Sequence, residues 1–196
     1  MNKNQIGQVM KGIKVLILIA VILILLFGGD ALYTTLNLLA GKSVSFKTGE
    51  ELNRQAGTFA EIVGIASAVI WLLRIIMINI KKKDTSLKEW FRQLYLVFQK
   101  YHLILGIITL VIAFIHGLYF LLFRNVKTHM GPPGGHDNTL NFYSGIVSFF
   151  ALCVLALLGW YHQTKRKTKQ TLPTKRKHKI AALVFGLLAL IHIYII

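Results

Sequence analysis

Apolar residues fall into five long runs separated by polar and charged segments. Residues 1–14 are polar and carry Lys3, Lys11 and Lys14, and Val15 to Phe27 is then uninterrupted apolar sequence. A weaker stretch with Gly28, Gly29 and Asp30 follows before apolar character resumes at Ala31. A basic start and a short apolar core also suit a secretory signal peptide, but no small-residue cleavage site follows Phe27. The pattern therefore predicts a retained first helix over about 13–36. The mixed-charge segment 41–57 reads as a loop, and a second span over about 59–80 is stopped by Lys81, Lys82 and Lys83.

Ser86 to Glu89 has the form of a capping box. From there Trp90, Phe91, Leu94, Phe98 and Tyr101 recur at helical spacing, which predicts a short amphipathic helix lying on the membrane surface. The third span is expected over about 101–123, closed by Arg124. A Pro-Gly loop with His129 and His136 leads to a fourth span, Leu140 to Tyr161. The stretch Lys165 to Lys179 then carries eight Lys or Arg residues, and the fifth span occupies 178–196. A hydrocarbon core needs ~20 apolar residues per helix, which each run supplies.

Composition sharpens this picture. Of 196 residues, 55% are hydrophobic and only 15% charged, where a soluble domain carries about 25%. The expectation is an all-α integral membrane bundle of five helices, in a multi-pass protein of a cell membrane of bacterial type. The formal charge of +16 does not imply nucleic acid, because the cations lie in blocks between spans. Such blocks anchor the cytoplasmic face, where anionic membrane lipid attracts them. Their distribution predicts a cytoplasmic N-terminus and an extracytoplasmic C-terminus. Cys153 is the only cysteine, so an internal disulfide, an iron–sulfur cluster and c-type haem attachment are all excluded.

Candidate chemistry rests on one repeated spacing. His102 and His116 are 14 residues apart in the third span, and His178 and His192 are 14 apart in the fifth. Fourteen residues make almost four helical turns, so each pair shares a face at a separation of roughly 21 Å. The charge-derived topology runs both spans in the same direction. It therefore brings His102 level with His178 and His116 level with His192. Ionisable side chains inside a membrane are costly and mark a partner or a function. Two readings are open: histidines that hydrogen-bond across helices, or axial ligands of two stacked haems, His102 with His178 and His116 with His192. The haem reading accounts for the matched depths. It also accounts for small residues at matched offsets, Gly106 and Ala182 four after the first histidine, Ala113 and Ala189 three before the second. Thr109 and Phe185, seven from each ligand, are candidates to stand between the cofactors. Lys100, Arg176, Lys177 and Lys179 would neutralise inner propionates and Arg124 the outer ones.

These paired histidines resemble the ferric reductase-like transmembrane domain family, found also in NADPH oxidases and in the haem subunit of bacterial methionine sulfoxide reductase systems. The resemblance covers about 59–196, so the chain divides into an N-terminal helix and outer loop, 1–57, and a four-helix haem-binding domain, 58–196. It implies two haem b groups and inward-to-outward electron transfer. The expectation is a chain without its own flavin or nicotinamide domain after His192, with a cytosolic flavoprotein reductase or a membrane quinol as donor. The expected acceptor is extracytoplasmic: ferric iron, oxygen or a partner redox protein. Quinol-linked cytochrome b subunits use a similar two-helix pairing, and a haem-handling or structural membrane protein is the reading outside the redox class. Lesser candidates are His129 and His136 for an outer metal ion, His162 and Arg74 near the inner propionates, and Glu61 on a proton path.

Overall fold

The computed structural model describes residues 3–80, 85–123, 138–167 and 172–195. Arg124, His129, His136 and Lys81 to Lys83 lie outside them, as do the side chains of Lys165 to Lys167. Five helices follow in order: α1 Lys3–Leu39, α2 Phe46–Asn79, α3 Thr85–Leu122, α4 Asn138–Lys167 and α5 Leu172–Ile195. All five are long and apolar enough to cross a membrane, and the chain is a multi-pass membrane protein. Even in α3, the most enclosed helix, only 33% of the apolar window is buried within the bundle, and in α5 none is. The remaining apolar surface needs lipid to cover it.

Helix ends reach beyond the expected spans in all five helices, for a common reason. An apolar window registers only the lipid-embedded part of a helix, and α1 with 37 residues extends ~55 Å, beyond a ~30 Å hydrocarbon core. Residues 41–57 are not mainly loop, because α2 already begins at Phe46. Glu51 pairs with Arg54 at 2.7 Å and accepts from Gln55 at 2.8 Å, the i,i+3 and i,i+4 contacts that support an exposed helix turn. The amphipathic segment and the third span are one continuous α3. Its apolar face does not lie free on the membrane surface: Val97 is buried against Ile6 and Met10 of α1, with Trp90, Leu94 and Tyr101 around them. Glu89 accepts hydrogen bonds from Arg92 and Gln93 along the same helix.

The turn between α1 and α2 is a Schellman closure. Gly41 has φ 69°, its N–H donates to the Leu38 carbonyl, and the Lys42 N–H donates to the Asn37 carbonyl.

Helices α1, α2 and α3 form one packed group. Its core joins Ala31, Ala56, Ala60, Leu105, Ile108 and Ile112. Small residues permit this close approach: a side chain at Gly28 would strike Ile112, and one at Gly49 would strike Leu38 and Tyr119. Helices α4 and α5 form a second, antiparallel pair, tied by Ser148 Oγ donating to the Leu188 carbonyl at 2.9 Å. The pair meets the first group through α4, where Phe114 and Phe149 lie 6.1 Å apart. At backbone level, among the described residues, helix α5 packs on α4 alone. Among the described residues no Cα of α5 comes within 8 Å of one in α1, α2 or α3. The two histidine-bearing helices are thus held apart at backbone level.

Candidate functional site

The histidines meet across that separation. The rings of His102 on α3 and His178 on α5 have centroids 6.3 Å apart and planes at 84°. His116 and His192, one 14-residue step further along, lie within electrostatic reach of each other. The parallel course of α3 and α5 is therefore present, with each histidine level with its expected partner.

Helices α2 and α4 seat these rings. Nδ1 of His102 is 3.1 Å from the Ser67 carbonyl, and Nδ1 of His116 is 2.7 Å from the Asn53 carbonyl. A carbonyl only accepts, so both Nδ1 atoms carry the proton and both Nε2 lone pairs are left for a metal. Nδ1 of His192 lies 2.9 Å from Ser144 Oγ. That hydroxyl gives its one hydrogen to the Asn141 carbonyl, so it accepts from His192 and leaves the same tautomer. Nδ1 of His178 is buried without a hydrogen bond, although it approaches the Leu155 carbonyl. His162 stacks on the His178 ring, with centroids 6.4 Å apart and planes at 12°.

Glycines complete the seats. A Cβ at Gly57 would lie 2.7 Å from the His116 ring, one at Gly145 3.0 Å from His192, and one at Gly159 3.1 Å from His178. The 14-residue period of the histidines is therefore repeated in their supports. Asn53 and Ser67 on α2, and Gly145 and Gly159 on α4, are also 14 apart. Antiparallel helices share one rise per residue, so two sites one period apart need supports one period apart. The same period is written in the sequence of α2 and α4.

Asn53 is the largest addition to the expected set. It is 0% exposed; its amide donates to Thr35 Oγ at 3.1 Å and to the Gly49 carbonyl at 2.9 Å. The reading of 41–57 as a loop hid it. Close by, Tyr119 donates to the Phe46 carbonyl at 3.0 Å, which fastens the end of α3 to the start of α2.

The other expected residues scatter around this frame. Gly106 is half-buried, with open space where its Cβ would stand. Ala113 packs against the core of the first helix group. On α5, Ala189 and Phe185 are half-buried, whereas Ala182 and Arg176 are exposed. Thr109 is buried on the α2 side, its methyl near Gly64 and its hydroxyl donating to the Leu105 carbonyl. Glu61 is half-buried on α2.

The donor set fits a haem. Among the described residues no three His, Cys, Asp or Glu side chains converge on one metal position. A porphyrin supplies its own equatorial nitrogens and asks the protein for one imidazole on each side. Imidazole–metal bonds of ~2.0 Å on both sides place two ring centroids about 6 Å apart, the separation found for His102 and His178. No protein-family model matches the chain, and no curated relative or solved structure matches it either.

Proposed function

We propose that the chain is a transmembrane di-haem b-type cytochrome, the membrane electron-transfer subunit of an oxidoreductase resembling the ferric reductase-like domain. One observation carries the reading. Two helices that do not pack on each other present two level pairs of histidines, and three of the four imidazoles are hydrogen-bonded in the tautomer that leaves Nε2 for metal. His102 and His178 hold one haem and His116 and His192 the other, roughly 21 Å along the helix axes. Bound there, haem supplies one-electron chemistry at a six-coordinate iron. The protein's part is to fix the rings, exclude water with its apolar spans and offset propionate charge with Lys100, Arg176, Lys177 and Lys179. The excess of cations at the His102 end makes that end cytoplasmic. A cytosolic flavoprotein or a quinol donates there, and ferric iron, oxygen or a redox partner accepts outside.

The test is haem stoichiometry and a reduced-minus-oxidised spectrum of protein purified from haem-supplied cells. Two b-type haems per chain are expected, falling to one in His102→Ala and one in His192→Ala. Absence of b-type bands, or unchanged haem in both variants, rejects the proposal in favour of histidines that only link helices.

A further inference from the structure

A second site lies at the basic end of the bundle. Arg74, Met77 and Ile78 from the end of α2, Lys88 and Tyr95 from α3, and Lys175 from the first turn of α5 line one cleft. Arg74 is seven residues beyond Ser67, and Tyr95 is seven before His102. The cleft therefore lies ~10 Å beyond the His102–His178 level, where the separation between α5 and the first helix group continues. Arg74, Lys88, Lys175 and the Tyr95 phenol line it, and among the described residues its lining includes no carboxylate. Glu89, next to Lys88, is engaged by Arg92 and Gln93. Among the described residues Arg74 has no hydrogen bond or ion pair.

Depth and chemistry identify the ligand class. The apolar run of α2 ends at Ile80 and is followed by three lysines, so the cleft is at the level where a bilayer changes from hydrocarbon to headgroup. Basic pockets between helices at this level suit anionic lipid headgroups. Arginine binds phosphate through paired N–H donors, the Tyr95 hydroxyl adds a neutral donor, and Met77 and Ile78 offer apolar contact to the start of an acyl chain. We infer that this cleft binds the phosphate headgroup of an anionic phospholipid. The inference does not rest on the haem reading.

Native mass spectrometry of detergent-solubilised protein incubated with phosphatidylglycerol or phosphatidylcholine tests it. The wild type should retain one phosphatidylglycerol in preference to phosphatidylcholine. Combined Arg74→Gln and Lys88→Gln should weaken that retention about thirtyfold, at about fivefold per cation removed. Lys14→Gln, which removes a charge at the same end outside the cleft, should leave it unchanged, and circular dichroism should report the same helix content in all variants. Equal retention of both lipids, or equal weakening by Lys14→Gln, overturns the site. Displacement of the lipid by inorganic phosphate at equal concentration overturns the lipid as the source. If the double variant loses haem while keeping its lipid, the cations serve propionates and the inference fails. Loss of lipid with haem retained supports it even if the haem ligands prove to be others.

Discussion

The sharpest consequence of the packing concerns Gly57. An alanine Cβ there would stand 2.7 Å from Cε1 and Nδ1 of His116, and ordinary contact begins near 3.4 Å. The ring must retreat by about 0.7 Å, since the other atom is fixed on the α2 backbone. That movement is as large as the margin of its 2.7 Å bond to the Asn53 carbonyl, so the bond is lost or badly stretched. Overpacking costs ~1–3 kcal/mol and the bond about 1 kcal/mol. Against this, glycine to alanine within a helix gains up to ~1 kcal/mol, leaving a net loss of roughly 1–3 kcal/mol. Gly64→Ala on the same helix is the control: its Cβ would meet Thr109 at 3.5 Å, ordinary contact, and should gain up to ~1 kcal/mol. Thermal melting in detergent, followed by circular dichroism, measures both. Gly145→Ala and Gly159→Ala, at 3.0 and 3.1 Å, should fall between them. If Gly57→Ala melts with or above Gly64→Ala, the glycine is not a seat for His116 and the reasoning is wrong.

Three further outcomes are expected. Gly41→Ala should cost about 1 kcal/mol or more, because a side chain at φ 69° strains the turn that ends α1; an unchanged melt counts against the Schellman closure. Ser148→Ala should lower stability by ~0.6–1 kcal/mol, since its bond to the Leu188 carbonyl ties α4 to α5 and interhelical bonds in membranes are of that size. In a Cys153→Ser background, Lys42→Cys should react with an impermeant maleimide on intact cells and Lys88→Cys only after lysis. Both positions are exposed on opposite ends of the bundle, and the reverse pattern refutes the proposed orientation.

Much of the helix count and the histidine register was legible from one-dimensional periodicities. Apolar runs of span length leave few alternatives to helices, because a bilayer offers no partner for an unpaired backbone. The 14-residue spacing is nearly a whole number of turns, so the levels of His102, His116, His178 and His192 followed without contact information. Helix ends were less legible. Glu51, Arg54, Glu89 and Arg92 look like loop or surface residues by composition, yet they pair along helices that outrun the membrane.

The sequence by itself determined five helices, their alternation and the matched depths of two histidine pairs, since hydrophobicity and helical rise act locally along the chain. Only the tertiary structure decided what holds each imidazole. Asn53 and Ser67 contribute backbone carbonyls that any residue type would carry, and Gly57, Gly145 and Gly159 contribute the absence of a side chain. Neither leaves a mark in composition. The separation of α3 from α5 was likewise a tertiary outcome. It follows from α5 packing on α4 alone, and it is what turns four spaced histidines into two facing pairs.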